Sequence, residues 1–70
     1  MTHADLLALA AWHDREAMIA ERDAVLAENN HWHDLARRTR EKAQFHASTV
    51  IHLRELAEIF KSAFSPLETV

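Results

Sequence analysis

No glycine occurs anywhere in the 70 residues, and the single proline is Pro66. Glycine supplies the left-handed corners of turns, and proline interrupts both helices and ladders. A chain that lacks them from Met1 to Ser65 has almost no punctuation for reversing direction. Strands need frequent reversals and helices do not. With Ala, Leu, Glu and Arg abundant, the sequence predicts an all-α fold that is helical nearly throughout.

Length is the second constraint. Residues 1–70 make a single small domain, and a core of that size rarely contributes more than about 3–5 kcal/mol without a staple. Disulfides and thiolate-metal sites are excluded, because there is no cysteine. Oligomerisation is therefore the expected staple.

The first helix is expected over about 3–28. Thr2 and Asp5 have the spacing of a capping box, and Asp5 suits the positive end of a helix. The periodicity then runs unbroken to Glu28, carrying two apolar stripes. One is small: Leu6, Ala10, Ala17, Ala20, Ala24 and Ala27, with His13 in its middle. The other is large: Leu7, Ala11, Trp12, Met18, Ile19, Val25 and Leu26. At about 100° per residue they lie on different faces, separated by acids that include Asp14, Glu16, Glu21 and Asp23. Two apolar faces predict two partners.

Asn29-Asn30 is the best break, since asparagine both ends and starts helices. A continuous rod is the competing reading, because Val25, Trp32, Thr39, His46, Leu53 and Phe60 keep one seven-residue register. A hairpin is favoured, as helices far beyond about 25 residues are uncommon outside coiled coils. A second helix is expected over about 31–64, stopped by Ser65-Pro66, with a frayed tail from Leu67 to Val70. Its stripe is Trp32, Leu35, Ala36, Thr39, Ala43, His46, Val50, Leu53, Leu56, Ala57, Phe60 and Phe64. Ser48-Thr49-Val50-Ile51 is its weakest stretch, where any kink or break is expected.

Folding at Asn29-Asn30 sets Ala27 against Trp32, Ala24 against Leu35 and Ala36, and Ala17 against Ala43. His13 then faces His46, Leu6 faces Leu53, and Arg40 lies across from Ile19 near Glu16 and Asp23. Small residues facing larger ones permit a close antiparallel hairpin. Ile59, Phe60 and Phe64 overhang the start of the first helix. A dimeric four-helix bundle would cover what remains, through Trp12, Met18, Ile19, Val25, Leu26, Phe60 and Phe64. Asp14, Glu16, Glu21 and Asp23 would stay available to a basic surface on another protein.

Other chemistry is weakly represented. Trp-His-Asp occurs twice, at 12–14 and 32–34, with an echo at Phe45-His46. It reads either as a recognition repeat or, more simply, as tryptophans filling the core or a dimer seam. Six histidines raise the question of metal, yet no pair has the i, i+4 spacing of a helical site, and no metal ligand or cofactor is assigned. His13 and His46 could instead form a pH-sensitive contact, because two protonated imidazoles repel. Arg37, Arg38, Arg40 and Lys42 form the one basic cluster. An alternative reading makes this a nucleic-acid-associated protein using that cluster, but the arginines scatter around the helix and the net charge is −3. No catalytic motif is present, and no enzyme activity is expected. No apolar run reaches the roughly 18–20 residues of a membrane span, and the start lacks the layout of a secretion signal, so a cytoplasmic location is the expectation.

The composition, with its aromatic-His steps Ala11-Trp12-His13 and Gln44-Phe45-His46, resembles the short, alanine-rich, cysteine-free helical proteins of bacteriophages and prophages. That resemblance implies a protein that acts by binding: an inhibitor of a host or defence complex, anti-CRISPR-like in role, or an accessory factor. It assigns no residue a role. The reading that follows is a homodimeric, non-catalytic protein-binding module. A structural factor that caps another helical protein is the other alternative.

Overall fold

In a computed structural model of the chain, which describes residues 1–64, two helices pack side by side as a hairpin. Helix α1 spans His3–Asn29 and helix α2 spans His33–Phe64. The backbone extends 60 Å along its long axis and 14 by 13 Å across it. The Ser65-Pro66 stop, the tail and the Phe64 side chain lie outside the described residues.

The start of α1 is the expected capping box. Thr2 N–H donates to Asp5 Oδ2 at 2.9 Å, and Asp5 N–H donates to Thr2 Oγ1 at 3.1 Å. The Thr2 backbone N–H, and secondarily its hydroxyl, hold the Asp5 carboxyl below the ordinary carboxylate range.

The turn corrects the sequence reading in one respect. The left-handed residue is His31, at φ 62°, not Asn29 or Asn30, and α2 begins at His33 rather than 31. His31 N–H donates to Glu28 O at 3.0 Å, and Trp32 N–H reaches back to Ala27 O at 2.9 Å. This is the helix-ending arrangement that glycine usually serves, here built on histidine. Asn30 contributes its side chain, whose Nδ2 donates to Leu26 O at 2.8 Å. The last carbonyls of α1 are thus satisfied without glycine, and the continuous rod is excluded.

Burial follows alternating steps of four and three residues on both helices. On α1 the seam positions are Leu6, Ala10, His13, Ala17, Ala20, Ala24 and Ala27; on α2 they are Ala36, Thr39, Ala43, His46, Val50, Leu53, Ala57 and Phe60. That spacing is the seam of a coiled coil. Of the fully buried apolar residues, all but Leu6 and Val50 are alanines, and Ala24 and Ala57 are 0% exposed. Short side chains let the helix axes approach closely, but each buried methyl contributes only about 0.8 kcal/mol. The small stripe of α1 is therefore the face that packs inside the hairpin.

Helix α2 runs unbroken through Ser48-Thr49-Val50-Ile51. There the Thr49 hydroxyl donates back to Phe45 O at 2.8 Å, so it finds a partner within the helix. Leu35 and Leu56, expected in the α2 stripe, are exposed, because they flank the seam rather than enter it. Arg40 also departs from expectation: Nη1 pairs with Glu28 at 3.1 Å, not with Glu16 or Asp23. Glu28 stands on the edge of α1 that Arg40 borders, whereas Glu16 and Asp23 lie on the other edge.

Candidate interaction surface

The hairpin has two broad sides, and contacts across the seam identify them. On one, Met18 and Glu21 of α1 border a shallow depression with Gln44 and Ala47 of α2, floored by Ala17 and Ala43. On the other, Trp12, His13, Phe45 and His46 gather at mid-length. Trp12 stands edge-on to His13 and His46, with ring centroids 4.9 and 5.8 Å away, and Phe45 stands 5.3 Å from His46 and 6.3 Å from His13.

The two imidazoles meet as the hairpin register predicts, with His13 Nδ1 and His46 Nδ1 2.7 Å apart. That is hydrogen-bond distance, so one nitrogen carries the proton and the other presents its lone pair. His46 is 7% exposed and His13 half-buried. The pair places a hydrogen bond between the helices inside a seam made mostly of alanines. Among the described residues no buried side-chain nitrogen or oxygen lacks a hydrogen bond, and no group of three or more His, Asp or Glu is placed to hold a metal.

Residues seven apart share a helix face, which extends this aromatic side along the molecule. On α1 it carries Trp12, Ile19 and Leu26, with Leu9 nearer the seam. On α2 it carries Phe45 and Ile59, with Leu35 and Leu56 nearer the seam. All eight are exposed, Phe45 to 63%. The opposite side is sparser in large apolar groups, with Leu7, Met18, Val25 and Ile51. The residues expected to form one interface are therefore divided. Trp12, Ile19 and Leu26 lie on the aromatic side, while Met18 and Val25 lie towards the other. Phe60 occupies a seam position beyond the start of α1. On the outer surface of α1, between the two sides, Met18 and Ile19 sit with Arg15 and Arg22 along a shallow strip.

Both tryptophans stay out of the hairpin core, Trp12 at 45% and Trp32 at 59% exposed, so the reading that they fill it is corrected within the single chain. Trp12 directly precedes the seam residue His13 and so stands beside the seam, whereas Trp32 lies in the turn between the helices.

The acids divide as well. Asp14 and Glu21 lie on the Glu28 edge, on the side with Met18; Glu16 and Asp23 lie on the aromatic side. The basic cluster of α2 is largely occupied. Arg37 binds Asp34 at 2.7 Å and Glu41 at 3.0 Å, Arg38 binds Asp34 at 3.3 Å, and Arg40 binds Glu28. The Arg37 hydrogen bond, reinforced by the charge of Arg38, holds the Asp34 carboxyl below its ordinary range. These are solvent-exposed pairs, and such pairs contribute little to stability. They leave Lys42 as the member of the cluster without an ion pair among the described residues.

No family model, curated protein or solved structure matches the chain. No described helix is long and apolar enough to cross a membrane.

Proposed function

We propose that this chain is a non-catalytic protein-association module that acts as a homodimer, with the aromatic broad side as its self-association surface. One observation carries the reading: the hairpin buries mostly alanines and leaves most of its large apolar side chains outside. Exposed apolar residues scattered singly are ordinary, but a continuous face the length of the molecule marks an interface. A second copy closing on it makes a four-helix bundle. Trp12, Ile19, Leu26 and Phe45 are its centre, and the His13–His46 pair, already on that side, is enclosed with them.

The remaining side, with Asp14 and Glu21 beside Met18, faces outward in such a dimer and suits a partner with a basic surface. The compositional resemblance to phage proteins makes inhibition of a host or defence complex the form of binding to test first. Trp12→Ala with Phe45→Ala should convert a dimer into a monomer in light scattering. Asp14→Lys with Glu21→Lys should leave the dimer intact and weaken capture of the partner. A stable monomer in the unmodified chain would point instead to an assembly factor whose apolar faces are both covered by a different protein.

A further inference from the structure

We infer that the two copies pair turn to turn, with α1 of one lying over α2 of the other. This rests on the homodimer reading and adds its orientation. Two two-fold arrangements can bring the aromatic sides together. An axis along the hairpin stacks α1 on the partner's α2 and puts both turns at one end. An axis across the hairpin stacks α1 on α1 and α2 on α2, with the turns at opposite ends. Neighbouring helices are antiparallel in both, so helix dipoles do not separate them.

Charge does. Helix α1 carries six acids (Asp5, Asp14, Glu16, Glu21, Asp23 and Glu28) against Arg15 and Arg22, a net of −4. Helix α2 carries six cations (Arg37, Arg38, Arg40, Lys42, Arg54 and Lys61) against Asp34, Glu41, Glu55 and Glu58, a net of +2. The turn-to-turn dimer gives each acidic helix two basic neighbours, whereas the alternative stacks acidic on acidic and basic on basic.

The charges on the interacting side agree in height. Asp23 and Arg38 each stand roughly 10–12 Å from His31 along the hairpin, at about 1.5 Å per residue. Glu16 and Lys42 stand at roughly 22 and 17 Å, within the reach of a lysine side chain. Glu16, Asp23 and Lys42 have no ion-pair partner among the described residues, so they are available to a second copy. Leu26 and Leu35 also match, at roughly 6–8 Å from the turn. With the axis crossing at mid-length, level with Asp14 and Ala47, the opposite arrangement puts Glu16 over Trp12 and Lys42 over His52, with no acid opposite either cation.

The chain has no cysteine, so Asn29→Cys, at an exposed position beside the turn, gives one spin label per copy. Dipolar spectroscopy on the full chain should return an intermolecular distance well under half the 60 Å length of the hairpin. A distance near that full length would overturn the turn-to-turn pairing and leave the homodimer standing. No intermolecular signal at any concentration would overturn the homodimer reading, and this inference with it. In parallel, Lys42→Glu should weaken dimerisation roughly fivefold, and adding Glu16→Lys should restore it. Failure of the second change to rescue the first would also count against the pairing.

Discussion

Leucine in place of Ala24 should destabilise the protein, although leucine is an excellent helix former and the substitution adds apolar surface. Ala24 is 0% exposed and sits in the seam with Ala20, Ala27 and Ala36, all buried. Three extra carbons have nowhere to go unless the helices move apart, and close-packed interiors resist that. Overpacking of this kind costs about 1–3 kcal/mol, while the difference in helix propensity is a few tenths at most. At about 2 kcal/mol, a domain of this size should lose about 8–16 °C in Tm. The control is Ala8→Leu, on the exposed outer surface of α1, where a change within about 0.5 kcal/mol is expected. Thermal melts followed by circular dichroism, with urea titrations alongside, compare the two. If Ala24→Leu were as stable as Ala8→Leu, or more stable, the alanine stripe would not be the inside of the hairpin. The large stripe would then have to be the core, and the interaction surface drawn here would be wrong.

Other predictions test separate parts of the account. Thr2→Ala should cost about 1 kcal/mol by removing the cap of α1, read as a lower urea midpoint. Because the Asp5 carboxyl is held below its ordinary range in the folded chain, its contribution is present above the unfolded carboxylate value and lost as pH falls through the folded one. The deficit of Asp5→Ala relative to the parent chain should therefore shrink under acid titration; a constant deficit would detach the Asp5 carboxylate from the cap. His31→Gly should raise stability by up to about 1 kcal/mol, since glycine accepts φ 62° without the cost borne by histidine; an unchanged or lower urea midpoint would show that the histidine is not strained there. For the His13–His46 contact, long-range nitrogen NMR at neutral pH should find the rings in different tautomers, one protonated at Nδ1 and one at Nε2. Rings found in the same tautomer would exclude that hydrogen bond.

Much of this architecture is readable in the residues, for physical reasons. Helix period and the absence of glycine define the two elements, and Thr2 with Asp5 announces the first cap. The small stripe separates from the large one because alanines and leucines repeat at helical spacing, and the same register brings His13 to His46. The turn is less legible: Asn29-Asn30 carries the propensity, but the left-handed corner falls on His31, where only the backbone pairing of Trp32 with Ala27 selects it. Arg40 finds Glu28 because a long side chain reaches along the edge of the seam, which spacing alone does not resolve. The division of Trp12, Ile19 and Leu26 from Met18 and Val25 was present in the seven-residue spacing. It becomes informative only once the seam shows where each helix faces.

The most direct test of the central claim, that alanines lie inside and the large apolar face awaits a second copy, is solution mass and shape across a dilution series. Light scattering combined with small-angle X-ray scattering should give twice the 8.1 kDa chain mass, in a particle no longer than one hairpin but with the cross-section of four helices rather than two. A stable monomer with hairpin dimensions at every concentration would contradict it.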